Sequence, residues 1–455
     1  MKLTNLIVIL ILMASCSGQR ERVSDQDQEL KVGFGVVDIT GEDAYVLDPL
    51  NVKALVIRQG DIQVAMIACD AGGVSKNLTD PLREQLSQET GIPAANIVIA
   101  ATHTHMANAR KDLEPAILKA VVKAQASLKP VQVQSVLGQQ FNISFHRRYF
   151  MKDGSVVFNP MFLNPDIVRP VGIIDPEVNY LLFRDASTGS PYTSVASFAL
   201  HLDIVKEYGA VYQVSGPGSP NAVSADYPYW LEEFLREDYG RDFNSLFFQG
   251  ACGDINHWDF SKPGPQSGHA KAREVGDSLY RSIKRAMNYA VDEIPKLEIT
   301  SKTIDLPLQT FSEKDLEWAI NLDTAELSGK SEEPDEREQF LNSVRQRRIL
   351  WLYEKNQNGI NTMPVEVQAI RLGDNTAIIA LPGEIFVELG LTIKNHSPFE
   401  NTFVISLANN TLAYVPNRKA FNHGGYEVEN SRLARGSGEI MVETAIELLR
   451  MLKEI

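Results

Sequence analysis

From residue 30 onward, short apolar runs alternate with segments whose apolar residues recur at helical spacing. Residues 64–69, 96–101, 194–200, 244–248, 376–381 and 402–407 are predominantly apolar short runs, which predicts buried strands. Residues 81–88 predict a helix stopped by Gly91 and Pro93, and 113–128, 270–290 and 440–452 predict three more. Strands alternating with helices predict an α/β fold of mixed sheets flanked by helices. Residues 141–164 read as a loop. Residues 312–355 are charged, with helical periodicity around Trp318 and Trp351, and read as a surface insertion on a single domain spanning 30–455.

The chain has 455 residues, 44% of them hydrophobic, which is enough for an ample core. Its formal charge of −14 argues against a general nucleic-acid binder, which must neutralise phosphates. The first residues change the picture further. Lys2 precedes an apolar stretch at 6–13, and Ala14 and Ser15 place small residues before Cys16. That stretch is far short of the roughly 20 apolar residues of a spanning helix. It resembles a bacterial lipoprotein signal over 1–15, with Cys16 as the lipidated residue and 16–29 as a polar tether. The expected location is the bacterial cell envelope, with a membrane partner through the lipid anchor. The other cysteines, Cys69 and Cys252, follow apolar runs and read as buried free thiols.

Candidate chemistry collects just past the predicted strands. The 96–101 run ends in Thr102-His103-Thr104-His105, and residues two apart on a strand share a face, so both imidazoles can reach one site. His201 follows the 194–200 run, Glu384 follows 376–381, and Tyr414 lies a little beyond 402–407. In open α/β sheets the strand ends face the ligand crevice. Imidazole nitrogens gathered there suit a zinc-type ion. Within 141–164, His146, Arg147 and Arg148 form a basic cluster in an acidic protein, and guanidinium forks suit carboxylate or sulfate oxygens.

With Gly253-Asp254, Pro382-Gly383-Glu384, the 409–427 segment and the opening Val37-Asp38-Ile39-Thr40-Gly41, these residues resemble the neutral, non-lysosomal ceramidase family. The resemblance implies a catalytic domain with one zinc ion held by His103, His201, Glu384 and Tyr414, with His105 beside it. It matches Tyr426 to a substrate-contacting tyrosine and one of Arg147 and Arg148 to a substrate-binding arginine. The family serine required for amide hydrolysis is replaced by Asn256, and the β-sandwich of longer members is not in this sequence. The expected activity is therefore zinc-dependent hydrolysis of an amide or ester other than ceramide.

Two alternatives stand beside it. A dehydratase or lyase acting on uronate-containing oligosaccharides needs no serine. The metal would neutralise the carboxylate, His105, Tyr426 and His257 would move protons, and Arg147, Arg148 and Arg418 would hold the acidic sugar. The last alternative is a non-catalytic binding lipoprotein.

Overall fold

The computed structural model describes residues 29–206, 221–322 and 336–455. The signal, Cys16 and nearly all of the tether lie outside these residues.

The apolar runs form two sheets. In the larger the strand order is Asn244–Gln249, Pro191–Phe198, Glu177–Asp185, Lys129–Gln139, Lys31–Asp38, Asn51–Gln59, Ile62–Cys69, Ile97–Ala101, with Val291–Asp292 added beside Lys129–Gln139. The smaller runs Pro295–Pro307, Thr362–Gly373, Thr376–Ala380, Asn401–Ile405. Strand alternation with both faces covered explains the continuous apolar runs, as in Ile97–Ala101. Ile97, Ile99 and Ala101 face the helix Leu113–Ala126, packing with Ile117, Ala120 and Ala124. Val98 and Ala100 point the other way, into a core shared with Ile378, Ala380, Phe403 and Ile405 of the smaller sheet. The helices Tyr227–Tyr239 and His269–Ala286 cover the other half of the large sheet, and Ser437–Glu454 covers the small one. The result is a four-layer arrangement of helices, two sheets and helices. Among the described residues no helix is long and apolar enough to cross a membrane.

Parallel pairing occurs where the candidate site residues emerge. Pro191–Phe198 runs parallel to Asn244–Gln249, Ile62–Cys69 to Ile97–Ala101, and Thr376–Ala380 to Asn401–Ile405. Five antiparallel steps separate the first two pairs in the large sheet, so it is the twist of the sheet and the loops beyond the strands that bring His103 and His201 together. There Asn409 joins the two sheets. Its side chain accepts the Ile99 N–H at 2.9 Å and donates to Gln368 Oε1 at 2.5 Å, while its own N–H donates to Ile99 O at 2.7 Å. Its φ of +58° is a conformation that asparagine tolerates better than most residues.

Three expectations need correction. His103 and His105 are not on a strand: the ladder ends at Ala101, and His103 has a φ of +72° in the loop beyond. Residues 141–164 contain short strands, Phe145–His146, Arg148–Met151 and Val156–Phe158. Within 312–355, the helix Glu336–Gln357 is not merely superficial, because Val344, Ile349 and Leu352 are buried.

Replacing Asn409 with Ala strands the Ile99 N–H and the Gln368 acceptor. We expect a loss of about 2–4 kcal/mol, read as a lower urea midpoint. An unchanged midpoint would show that this residue does not tie the sheets.

Candidate metal centre

His103 and His201 arrive on loops that follow two strands near opposite edges of the large sheet, and Glu384 arrives from the small one. Each is oriented by backbone. His103 Nδ1 lies 2.6 Å from Gly72 O, and His201 Nδ1 lies 2.9 Å from Cys252 O and 3.0 Å from Ile255 O. Carbonyls only accept, so both imidazoles carry their proton on Nδ1 and turn an Nε2 lone pair inward. The Glu384 carboxylate meets them there, with Oε2 3.4 Å from His103 Nε2 and 3.1 Å from His201 Nε2.

The Glu384 segment is placed by two glycines. Gly383 turns the chain with a φ of +86°. Gly253 lies so close that an added Cβ would come within 2.5 Å of Glu384 O, and its N–H donates to Ile385 O. Beside it, Asp254 accepts the Val387 N–H at 2.8 Å and lies 3.1 Å from buried His146. The Gly253-Asp254 pair thus clamps loops together and does not enter the site.

His105 completes the cluster. Its ring centroid is 5.0 Å from that of His103 and 5.8 Å from that of His201, and one nitrogen from each of the three imidazoles lies within 4.8 Å of the others. These residues could hold a metal ion. Buried lone pairs converging on a buried carboxylate favour a cation between them, and His103 Nε2 has no other hydrogen-bond partner among the described residues. Without an ion the strain appears as divided titration. Burial opposes charge on His103, but the Glu384 carboxylate raises its pKa. Burial and the Arg147 charge lower His201. Burial, then His103, lowers His105 to about 3. Despite burial, Glu384 is held well below the usual carboxylate range by His103 and His201.

Tyr414 stands opposite Glu384 in a short parallel pair and is buried; burial pushes its hydroxyl well above the usual range. Arg147 reaches the same place. Its guanidinium is 3.4 Å from His201 Nε2 and lies over the rings of Tyr414 and Tyr426 at 5.1 and 5.8 Å, while Nε donates to buried Glu427 at 2.8 Å. Tyr426 contacts Tyr414 edge-on at 5.3 Å and is stacked on Phe158 at 4.9 Å. Above His103 and His105 a polar cavity of about 450 Å³ opens, lined by Gly72, Thr104, Asn108, Arg110 and Lys206.

Other expected residues lie elsewhere. Arg148 turns away from the imidazoles to donate to Gly424 O at 2.6 Å, with Phe386 under its guanidinium. Arg418 is exposed and lies against Gly436. Asn256 neighbours Ile255, whose carbonyl holds His201, but its amide donates to Asn159 Oδ1 at 2.7 Å and its oxygen accepts the Trp258 N–H at 2.9 Å. His257 is buried beside Asp203. Asp203 and Glu427 were not anticipated. Asp203 stands two residues after His201 and Glu427 directly after Tyr426, and that adjacency is the only signal the chain offers for either.

This geometry can be set beside known proteins. No family profile matches the chain. It is 17% identical to a neutral ceramidase of Pseudomonas aeruginosa, with a TM-score of 0.66 over 94% of this chain and 75% of that one. The fold is that of neutral ceramidase. A ceramidase solved in complex with C2 superposes with a TM-score of 0.65 at 16% identity, over 94% of this chain and 76% of that one. Neutral ceramidase B of Dictyostelium discoideum is 22% identical over 251 residues, which is 44% of this chain and 34% of that protein. The matched region thus spans about a third of that curated relative.

We expect His103→Ala and His201→Ala to purify with at least about tenfold less zinc than the unaltered protein, measured by elemental analysis with the far-UV circular dichroism unchanged. Equal zinc content would remove these residues from the ligand set.

Proposed function

We propose that this chain is a zinc-dependent hydrolase of an amide or ester in a polar, anionic substrate, and that ceramide is not that substrate. One observation carries the reading: His103, His201 and Glu384 are pre-oriented around a point that favours a cation, at the edge of a neutral-ceramidase fold. Zinc bound there supplies Lewis acidity to a substrate oxygen.

The chain's own groups supply the rest. His105 is neutral, and no ring hydrogen bond fixes its tautomer among the described residues, so it can take a proton from attacking water and return it to the leaving group. Arg147, held by Glu427, supplies a fixed positive charge against developing negative charge. The Tyr426 hydroxyl, kept protonated by burial, supplies a hydrogen bond there. Asn159 and Trp258 fix Asn256 as a structural amide, and it has no nucleophilic role. The polar cavity with Arg110 and Lys206 suits a carboxylate or sulfate better than an aliphatic chain.

That lining also favours a second reading. With a uronate carboxylate held by these cations, His105 or Tyr426 could remove the adjacent acidic proton while the C–O bond to the leaving group breaks, which is the elimination of a dehydratase or lyase. We place the protein at the cell envelope, tethered through Cys16, with oligosaccharides within reach. Cys16→Ser is then expected to move it from the detergent phase to the aqueous phase in a phase-partition assay.

Mass spectrometry of products from amides, esters and uronate oligosaccharides separates the reactions. Hydrolysis adds water, and elimination yields a new conjugated double bond. Failure of the zinc-loaded protein to give either product would overturn both readings. For whichever substrate turns over, Tyr426→Phe is expected to lower kcat by about 10²–10³-fold with zinc content unchanged.

A further inference from the structure

The nucleophile missing at Asn256 has a neighbour with the right chemistry. His257, buried, lies with Nε2 3.2 Å from Ser267 Oγ, and its Nδ1 stands 3.2 Å from Asp203 Oδ1 as an ion-pair approach without hydrogen-bond geometry. Trp258 Nε1 donates to the same Ser267 oxygen at 3.2 Å. With Trp258 donating to it, the serine oxygen can turn its own proton to His257 Nε2 in the tautomer that carries hydrogen on Nδ1, the nitrogen that faces Asp203. These are a nucleophile, a base and an orienting carboxylate in order, none of them a residue that holds the cation.

The surroundings indicate what it would take. Ser267 is partly exposed, whereas His257 and Asp203 behind it are buried. Trp258, Phe162 and Phe260 form a ring cluster beside it, with centroids 5.2–6.0 Å apart, and Met161 and Leu163 are exposed next to it. Ser267 also sits two residues before the helix His269–Ala286, whose amino end favours negative charge.

We propose that Ser267, His257 and Asp203 form an acyl-transfer centre for carboxylic esters with a short apolar acyl group, working independently of the bound metal. Ser267 Oγ bonds to the acyl carbon and its proton passes to His257 Nε2. The bond from that carbon to the ester oxygen breaks, and the leaving alcohol takes the proton from His257. Water then attacks the acyl-serine, gives its proton to His257, and releases the carboxylic acid as Ser267 recovers its hydrogen.

A fluorophosphonate probe tests this on the full chain, with zinc present and after chelation. The expected result is one adduct on the peptide containing Ser267 in both states, with none in Ser267→Ala at an unchanged thermal midpoint and zinc content. His257→Gln should slow labelling on the order of 100-fold. Hydrolysis of 4-nitrophenyl butyrate should disappear in Ser267→Ala. Absence of an adduct, an adduct that survives in Ser267→Ala, or wild-type labelling in His257→Gln would overturn the proposal. Each of those outcomes leaves the zinc content of the protein, and so the metal reading, unaffected.

Discussion

The structure turns on an electrostatic constraint: imidazole lone pairs and a carboxylate are buried together with their negative ends facing. Gly72, Cys252 and Ile255 take the Nδ1 protons of His103 and His201, so neither ring can relieve the conflict by changing tautomer without losing those hydrogen bonds. Glu384 cannot retreat, because its segment is paired with Tyr414 and pressed against Gly253. The Arg147 guanidinium offsets part of this at His201, and a proton or a metal ion between His103 and Glu384 would relieve the rest, in keeping with a raised His103 beside a depressed Glu384.

The layered sheets exist, in functional terms, to make that convergence rigid. His103 and His201 come from strands at positions far apart in the large sheet, and Glu384 comes from the other sheet altogether. Their meeting depends on the shared inter-sheet core and on Asn409, which bonds across the sheets near the end of the Ile97–Ala101 strand. Several residues at this edge, His103, Leu407, Asn409 and Ala413, have positive φ. Such conformations cost energy and persist where packing enforces them, so the strain collects around the site.

Much of this was legible in the chain. Runs such as 97–101 and 377–381 are apolar at every position because both faces of those strands are covered, and that pattern marked the strands and their ends. His103, His201 and Glu384 could be read as partners because each follows such a run within three residues. The route by which His103 and His105 meet was not legible, since strand alternation and a loop with positive φ both place them side by side. Arg147 and Arg148 are adjacent and chemically identical, yet one enters the site and the other turns to Gly424; only the packing of Glu427 between them separates the two. Asp203 went unseen because an acid two residues past a histidine has no meaning until the His257 segment folds beside it.

The segment 312–355 shows why a likeness of fold does not fix a substrate. Its charge reads as surface, yet the helix Glu336–Gln357 buries Ile349 and sets Phe340 against the ring of Tyr426 at 5.3 Å. Tyr426 is therefore held between Phe158 of the short strands and Phe340 of the insertion, so the position of its hydroxyl depends on two segments outside the main sheets. On the far side of the imidazoles the wall is polar and cationic, from Asn108 to Lys206. The place where a metal ion could sit is set by the layered core, whereas the groups proposed to meet a substrate belong to these added walls. The proposal of an anionic ligand rests on polarity at the mouth, not on the architecture beneath it.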